Sequence, residues 1–296
     1  MEAIRTVLCP IDFSPATERQ LAFAVDLCRL FGARLVLHHN LDAVPTGAAV
    51  GWMWSETHPG APTEAGDEER LRRLMAALPE GLEVEAKITH GLPSTSVVTV
   101  GELVGADLVV ITTHGKSPEE HTSVTEQVLE RSRCGVLALH EAGDEANPPR
   151  LIADGEARRP VVVPTDFSKE SMAAVECAFE LARRLPLEPH LLHVVSPGGV
   201  TAKASSEEPS SALAEESRRR LSALVPADLD GRVFVHVGVG DPGHEIAAAA
   251  ERLVAAFVVM GEHTRAGWRR WFTRDTSRSV LHEVRCPVWY VPGSAA

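Results

Sequence analysis

Short runs of β-branched and aliphatic residues alternate along this chain with longer stretches whose apolar positions recur at helical spacing. In the first half the runs 6–11, 34–39, 82–89, 108–112 and 135–139 predict strands. In the second half the runs 161–163, 190–194, 232–237, 257–260 and 287–291 do the same. Between the first two runs, Leu21, Ala24, Val25, Cys28 and Phe31 fall on one face of a helix, and Ser14-Pro15 supplies an N-cap and a first-turn proline. Met172, Val175, Phe179, Ala182 and Leu185 repeat the pattern in the second half.

Strands that are apolar nearly throughout, alternating with helices, indicate a parallel sheet covered on both faces. Such sheets bind ligands beyond the C-terminal ends of their strands, where the strand order reverses. Two segments, 41–66 and 196–211, break the rhythm. Both follow the second predicted strand of their half and are rich in Pro, Gly, Ser and Ala, which marks them as loops at that same edge.

The two halves are copies of each other. Pro10, Asp12, Phe13, Ser14, Leu27 and His39 align without a gap with Pro164, Asp166, Phe167, Ser168, Leu181 and His193. Arg133-Cys134 falls on Arg285-Cys286. Residues 142–159, rich in Pro, Gly and charge, read as a linker between a domain at 1–141 and a domain at 160–296.

Composition narrows the function by exclusion. The 296 residues carry 29 Lys and Arg against 41 Asp and Glu, a formal charge of −12, which disfavours nucleic acid or an anionic membrane surface as partner. No apolar run reaches the ~18–20 residues of a membrane span. The opening MEAIRTVLCPID lacks signal-peptide architecture, so a cytoplasmic location is expected. Five scattered cysteines without a Cys-x-x-Cys pair disfavour a disulfide framework and a structural zinc site. The thirteen histidines, among them His38, His39, His114 and His121, show no metal-ligand spacing.

A strand ending in Pro-x-Asp-Phe-Ser, a second ending in a His such as His193-Val194-Val195, and a fourth followed by a glycine-bearing loop resemble the universal stress protein family. Two such units resemble its tandem members. The resemblance implies two five-stranded, Rossmann-like, doubly wound parallel α/β domains that pair their final strands as an intramolecular pseudo-dimer, in a monomer or a homodimer. It also implies that some members bind ATP, with Mg, and others do not. In binders the Asp after the first strand holds the adenine or ribose side, and the residue after the second-strand His gives backbone contacts to adenine. The phosphates lie on a loop of three spaced glycines followed by Ser or Thr, because glycine lets backbone N–H groups approach phosphate oxygens.

Carried onto this chain, the first repeat offers Asp12, Asn40, Gly115 and Ser123, and the second offers Pro164, Thr165, Asp166, Val194 and Gly261. Neither loop keeps the full pattern. In the first, Thr112 and Thr122 replace two glycines, the loop is shortened, and Glu119-Glu120 would repel a triphosphate. In the second the spacing is kept, but Thr264 and Arg274 replace glycines and Asp275 replaces the Ser or Thr. Arg265, Arg269, Arg270, Arg274, Arg278 and Arg285, against Glu262, Asp275 and Glu283, give that region a local positive charge. Arginine can hold phosphate without glycine, so Arg265 and Arg274 join the candidate site.

Plainer readings stand beside these. Asp12 and Asp166 serve equally well as turn caps, the arginine run with Trp268 and Trp271 as a solvated or packing loop, and Cys134 and Cys286 as buried apolar residues. No nucleophile elbow or Gly-x-x-x-x-Gly-Lys phosphate loop is present, so catalysis beyond a weak ATPase has no support. The reading is a stress-response protein acting by binding, with a degenerate adenine-nucleotide site better preserved in the second repeat. The alternatives are a scaffold for unknown protein partners that has lost nucleotide binding in both repeats, and an ATP-dependent switch with slow hydrolysis.

Overall fold

A computed structural model describes residues 4–41, 64–113, 124–140, 158–195, 208–262 and 274–293. Their elements run β1 (Thr6–Ile11), α1 (Ala16–Phe31), β2 (Arg34–Leu41), α2 (Glu64–Ala77), β3 (Val84–His90), α3 (Pro93–Val104), β4 (Leu108–Thr113), α4 (Val124–Arg131) and β5 (Gly135–His140). The second half runs β6 (Arg159–Pro164), α5 (Lys169–Arg184), β7 (Leu187–Val195), α6 (Glu208–Leu224), β8 (Phe234–Val239), α7 (Pro242–Arg252), β9 (Phe257–Glu262), α8 (Arg274–Glu283) and β10 (Val288–Pro292). Each predicted strand is present, and α2 and α6 begin inside the stretches 41–66 and 196–211 that lacked an obvious period. Residues 42–63, most of the predicted linker and the arginine-bearing stretch 263–273 lie outside the described residues.

The chain divides into two compact units, one of residues 3–112 and 117–134, the other of residues 1–2, 113–116 and 135–296. In the first unit β1 lies between β2 and β4, and β3 flanks β2, all parallel. In the second, β6 lies between β7 and β9, with β8 beyond β7 and β10 beyond β9, again all parallel. The expected pairing of closing strands is found in this unit: β10 runs antiparallel to β5, with Trp289 opposite Leu137. Each central strand is buried on both faces, as at Val7, Leu8 and Cys9 and at Val161, Val162 and Val163. Of the predicted helical stripes, Leu21, Ala24, Val25 and Cys28, and Val175, Phe179, Ala182 and Leu185, are buried. Cys134 and Cys286 are only half-buried, although burial still pushes the Cys286 thiol up to about 12. Among the described residues no helix is long and apolar enough to cross a membrane.

Three helices end in one left-handed residue. Gly32 (φ 65°) closes α1, Gly105 (φ 62°) closes α3, and Val254 (φ 50°) follows α7. In each case the next N–H reaches back to the helix: Ala33 to the Cys28 carbonyl, Ala106 to Gly101 and Ala255 to Ala250. Two of these positions hold glycine, which adopts the conformation freely. The third holds a β-branched residue that is 83% exposed and gains nothing from packing. Val254→Gly is therefore expected to raise the stability of the second unit by about 1 kcal/mol. Urea unfolding measures it, and an unchanged or lower midpoint would contradict the strain.

Candidate functional site

In the second unit the chain leaves β6 at Pro164 and turns on its own side chains. The Asp166 Oδ1 accepts the Ser168 N–H at 3.0 Å, and Thr165 Oγ1 accepts the Phe167 N–H at 3.0 Å. Ser168 then caps α5, its Oγ accepting the Ser171 N–H at 3.2 Å. This turn places Phe167 in the left-handed region, φ 64°. Its ring lies 4.8 Å from that of His193, whose Nδ1 donates to the Thr165 carbonyl at 2.8 Å. Burial lowers the His193 pKa, and the nearby Arg220 works the same way against the opposing hydrogen bond, so the ring is neutral with Nε2 unprotonated. The Arg220 guanidinium, from α6, sits 3.8 Å from the centre of the Phe167 ring.

The first unit builds the same turn with differences. Asp12 Oδ1 accepts the Ser14 N–H at 2.9 Å and the Thr17 hydroxyl at 3.4 Å, and Phe13 is left-handed at φ 58°. The Phe13 ring lies 4.6 Å from His39 and carries the Arg70 guanidinium at 3.8 Å. The expected Ser14 cap is not made. The Thr17 N–H bonds to the Ser14 carbonyl, and the buried Ser14 Oγ has no partner among the described residues, because Pro15 already has helical dihedrals and starts the turn on the backbone. Arg70 is also neutralised: Asp67, 2% exposed, approaches its Nη1 at 3.2 Å and the His39 Nε2 at 3.5 Å.

Asn40, expected to meet adenine, spends its carboxamide on the protein. Its Nδ2 donates to the Gly91 carbonyl at 2.8 Å, and its Oδ1 accepts the Thr89 hydroxyl at 3.2 Å. With the Thr89 proton committed to Asn40, the 2.7 Å contact from His38 Nε2 to Thr89 Oγ1 requires His38 to donate from Nε2. The buried Nδ1 is then an acceptor without a partner among the described residues, and burial, joined by His39, pushes the His38 imidazole down to about 4. A cavity of about 360 Å³ opens beside this network, lined by Thr89, Gly91 and Ser96 among others, at the end of β3, two strands from the Asp12 turn.

The remaining candidates divide as follows. Asp166 and Val194 stand at the C-terminal ends of neighbouring strands β6 and β7, with Val194 buried. Gly261 lies in β9, and its lack of a side chain has a packing reason: a Cβ there would fall 2.3 Å from the Glu170 carbonyl oxygen and 2.8 Å from the Ser171 nitrogen, at the start of α5. Arg274 and Asp275 begin α8, but their side chains, like all of Gly115, Ser123 and Arg265, lie outside the described residues. Sequence reasoning missed Arg70, Arg220 and Asp67. The matching pairs Arg70-Leu71 and Arg220-Leu221 in the two repeats were the available signal. Among the described residues no group of three or more His, Cys, Asp or Glu could hold a metal ion.

The profile of the Universal stress protein family matches residues 3–140 and again residues 157–292. A universal stress protein of Methanocaldococcus jannaschii is 29% identical over 147 residues, which cover 48% of this chain and 86% of that protein. Among solved structures, a universal stress protein from Archaeoglobus fulgidus superposes with a TM-score of 0.64 at 20% identity, over 97% of this chain and 96% of that one. A putative universal stress protein from Pseudomonas aeruginosa gives 0.63 at 15% identity, over 98% and 94%.

Two outcomes follow from the packing. Gly261→Ala must push the start of α5 off β9, and a loss of about 1–3 kcal/mol is expected in urea unfolding. A wild-type midpoint would show that α5 yields without strain. His38 is held neutral when folded, so its contribution is present above its ordinary value of about 6.5 and lost as the pH falls towards 4, by about 3 kcal/mol. Unfolding midpoints at pH 7 and pH 4.5 are expected to differ less in His38→Gln than in the wild type. An identical drop in both would contradict the assignment.

Proposed function

Because the chain belongs to the Universal stress protein family over both of its repeats, we propose that it is a cytoplasmic stress-response protein that works by binding, with one adenine-nucleotide site, in the second repeat. The observation that carries this reading is the strand order. In the second unit the chain passes from β6 to β7 and β8 on one side, then returns to β9 on the other side of β6. The crevice between the C-terminal ends of β6 and β9 is thus a topological switch point, the place where open parallel sheets take their ligands. Asp166 leaves β6 at that crevice, Gly261 approaches it along β9, and Val194 stands beside it on β7.

The side chains fit such a ligand. One Asp166 oxygen closes the turn, and the other has no partner among the described residues, which leaves it to accept from a ribose hydroxyl or an adenine amine. The start of α5, packed against Gly261, presents backbone N–H groups to negative charge. In this reading Arg274, at a position where the family uses glycine, and Arg265, beside another, supply cation, and a bound triphosphate would bring Mg with it.

The first repeat is the weaker binder in this reading. Asn40 is occupied with Gly91 and Thr89, Arg70 is paired with Asp67, and the stretch after β4 carries Glu119 and Glu120. It acts as the partner of the binding repeat, and no residue in either is assigned a catalytic role.

Isothermal titration of the purified chain with ATP and Mg²⁺, and with AMP, is expected to show about one nucleotide per chain. Asp166→Ala and Arg274→Ala are each expected to weaken binding by about tenfold, the scale of one charged hydrogen bond, and Asp12→Ala to leave it unchanged. Equal losses from Asp12→Ala and Asp166→Ala would remove the asymmetry. No heat and no thermal shift with either nucleotide would favour the scaffold.

A further inference from the structure

The two repeats differ most clearly in what becomes of one arginine. Helices α2 and α6 occupy corresponding places, anchored by Leu71 and Leu221, which are 2% and 0% exposed. Each then lays an arginine on the phenylalanine of its turn at the same 3.8 Å. On α2 the residue one turn before Arg70 is Asp67, and the pair is made at 3.2 Å. On α6 the corresponding residue is Ser217, buried and uncharged.

The surroundings sharpen the contrast. Arg218 pairs with Glu215 at 2.8 Å and Arg219 with Glu216 at 2.7 Å, each three residues back along α6. At Arg220 the same step reaches Ser217, and no described carboxylate lies within ion-pair distance. The Phe167 ring holds one face of the guanidinium, and the in-plane N–H donors have no partner among the described residues. The ring stands directly after Asp166, so the guanidinium lies beside the turn that leaves β6, on the side from which His193 of β7 reaches the same ring. His193, against the same ring, is neutral and adds no charge of its own.

A planar guanidinium, oriented by an aromatic ring and relieved of its carboxylate, is suited to an oxyanion, which it can take through two parallel N–H bonds. We infer that Arg220 holds the phosphate of the nucleotide in the second repeat, and that Ser217 in place of an aspartate is what makes it available. This rests on the nucleotide reading above and adds to it a residue on α6, outside the turn and the glycine-loop positions. In the first repeat the Asp67 carboxylate occupies the position that a phosphate would take on Arg70.

The test compares AMP with adenosine, and inorganic phosphate alone, by isothermal titration on the full chain. Wild type is expected to bind AMP more tightly than adenosine. Arg220→Gln is expected to weaken AMP by about tenfold while leaving adenosine unchanged, an effect that a loss of packing against Phe167 would not produce. Ser217→Asp, which rebuilds the first repeat's pair in the second, is expected to do the same, and Arg70→Gln to do nothing. Thermal unfolding of each variant reports its folding. If Arg220→Gln spares AMP, or weakens AMP and adenosine equally, while Asp166→Ala weakens both, Arg220 is not the phosphate contact and the nucleotide site stands without it. Arg70→Gln matching Arg220→Gln would overturn the role of Ser217. Phosphate binding that Arg220→Gln leaves intact would place the anion elsewhere. A wild type that binds neither AMP nor adenosine would remove the nucleotide reading and this inference together.

Discussion

An aspartate that closes its own turn sets the geometry of both candidate sites. One carboxylate oxygen of Asp12 or Asp166 takes the N–H two residues on, and the phenylalanine between is forced to a positive φ. An L-residue with a bulky side chain adopts that conformation only when its neighbours impose it, at a cost of about 1–3 kcal/mol. Contacts on the displaced ring offset that cost, a histidine from the next strand and an arginine from the helix that follows it. The same bond fixes the aspartate at the end of the central strand, so the turn that serves the fold also positions the carboxylate of the proposed site. The readings of Asp166 as turn cap and as ligand contact are compatible, since each uses a different oxygen.

With that frame common to both repeats, their differences become chemical. The first repeat has closed its polar groups upon itself: Asp67 holds Arg70 and approaches His39, and Asn40 ties the end of β2 to the turn after β3. The second repeat has Ser217 where Asp67 would stand and Val194 where Asn40 would stand, and neither substitute occupies a neighbour with charge. One buried carboxylate, present as Asp67 and replaced by Ser217 in the other copy, separates an arginine paired with it from one that has no carboxylate partner among the described residues. The cap follows the same division, since Ser168 caps α5 while Ser14 leaves the first turn to its backbone.

Much of the fold was legible because the signals are local and stated twice. Continuous apolar runs such as Leu35-Val36-Leu37 gave the strands, helical spacing gave the buried faces of α1 and α5, and the copies checked each other. Asp12 and Asp166 were legible as turn residues for the same reason. The packing role of Gly261 was not legible in the sequence, because the approach of the Glu170 backbone depends on how a distant helix packs. Arg70 and Arg220 were missed because they lie far along the chain from the phenylalanines they cover. The stretches preceding their helices carry no period that would have drawn attention there. Asn40 was placed at its position, but its bonds to Gly91 and Thr89 follow from strand register, which composition does not state.

The central claim is that one repeat, the second, takes the nucleotide at the end of its first strand. Amide NMR of the labelled chain titrated with AMP tests this most directly, because it reports where the ligand sits as well as whether it binds. Saturable shifts are expected at Asp166, Phe167, Ser168 and Val194, with Asp12, Phe13, Ser14 and Asn40 unmoved. Shifts confined to the first repeat, equal shifts in both, or none in either would contradict it.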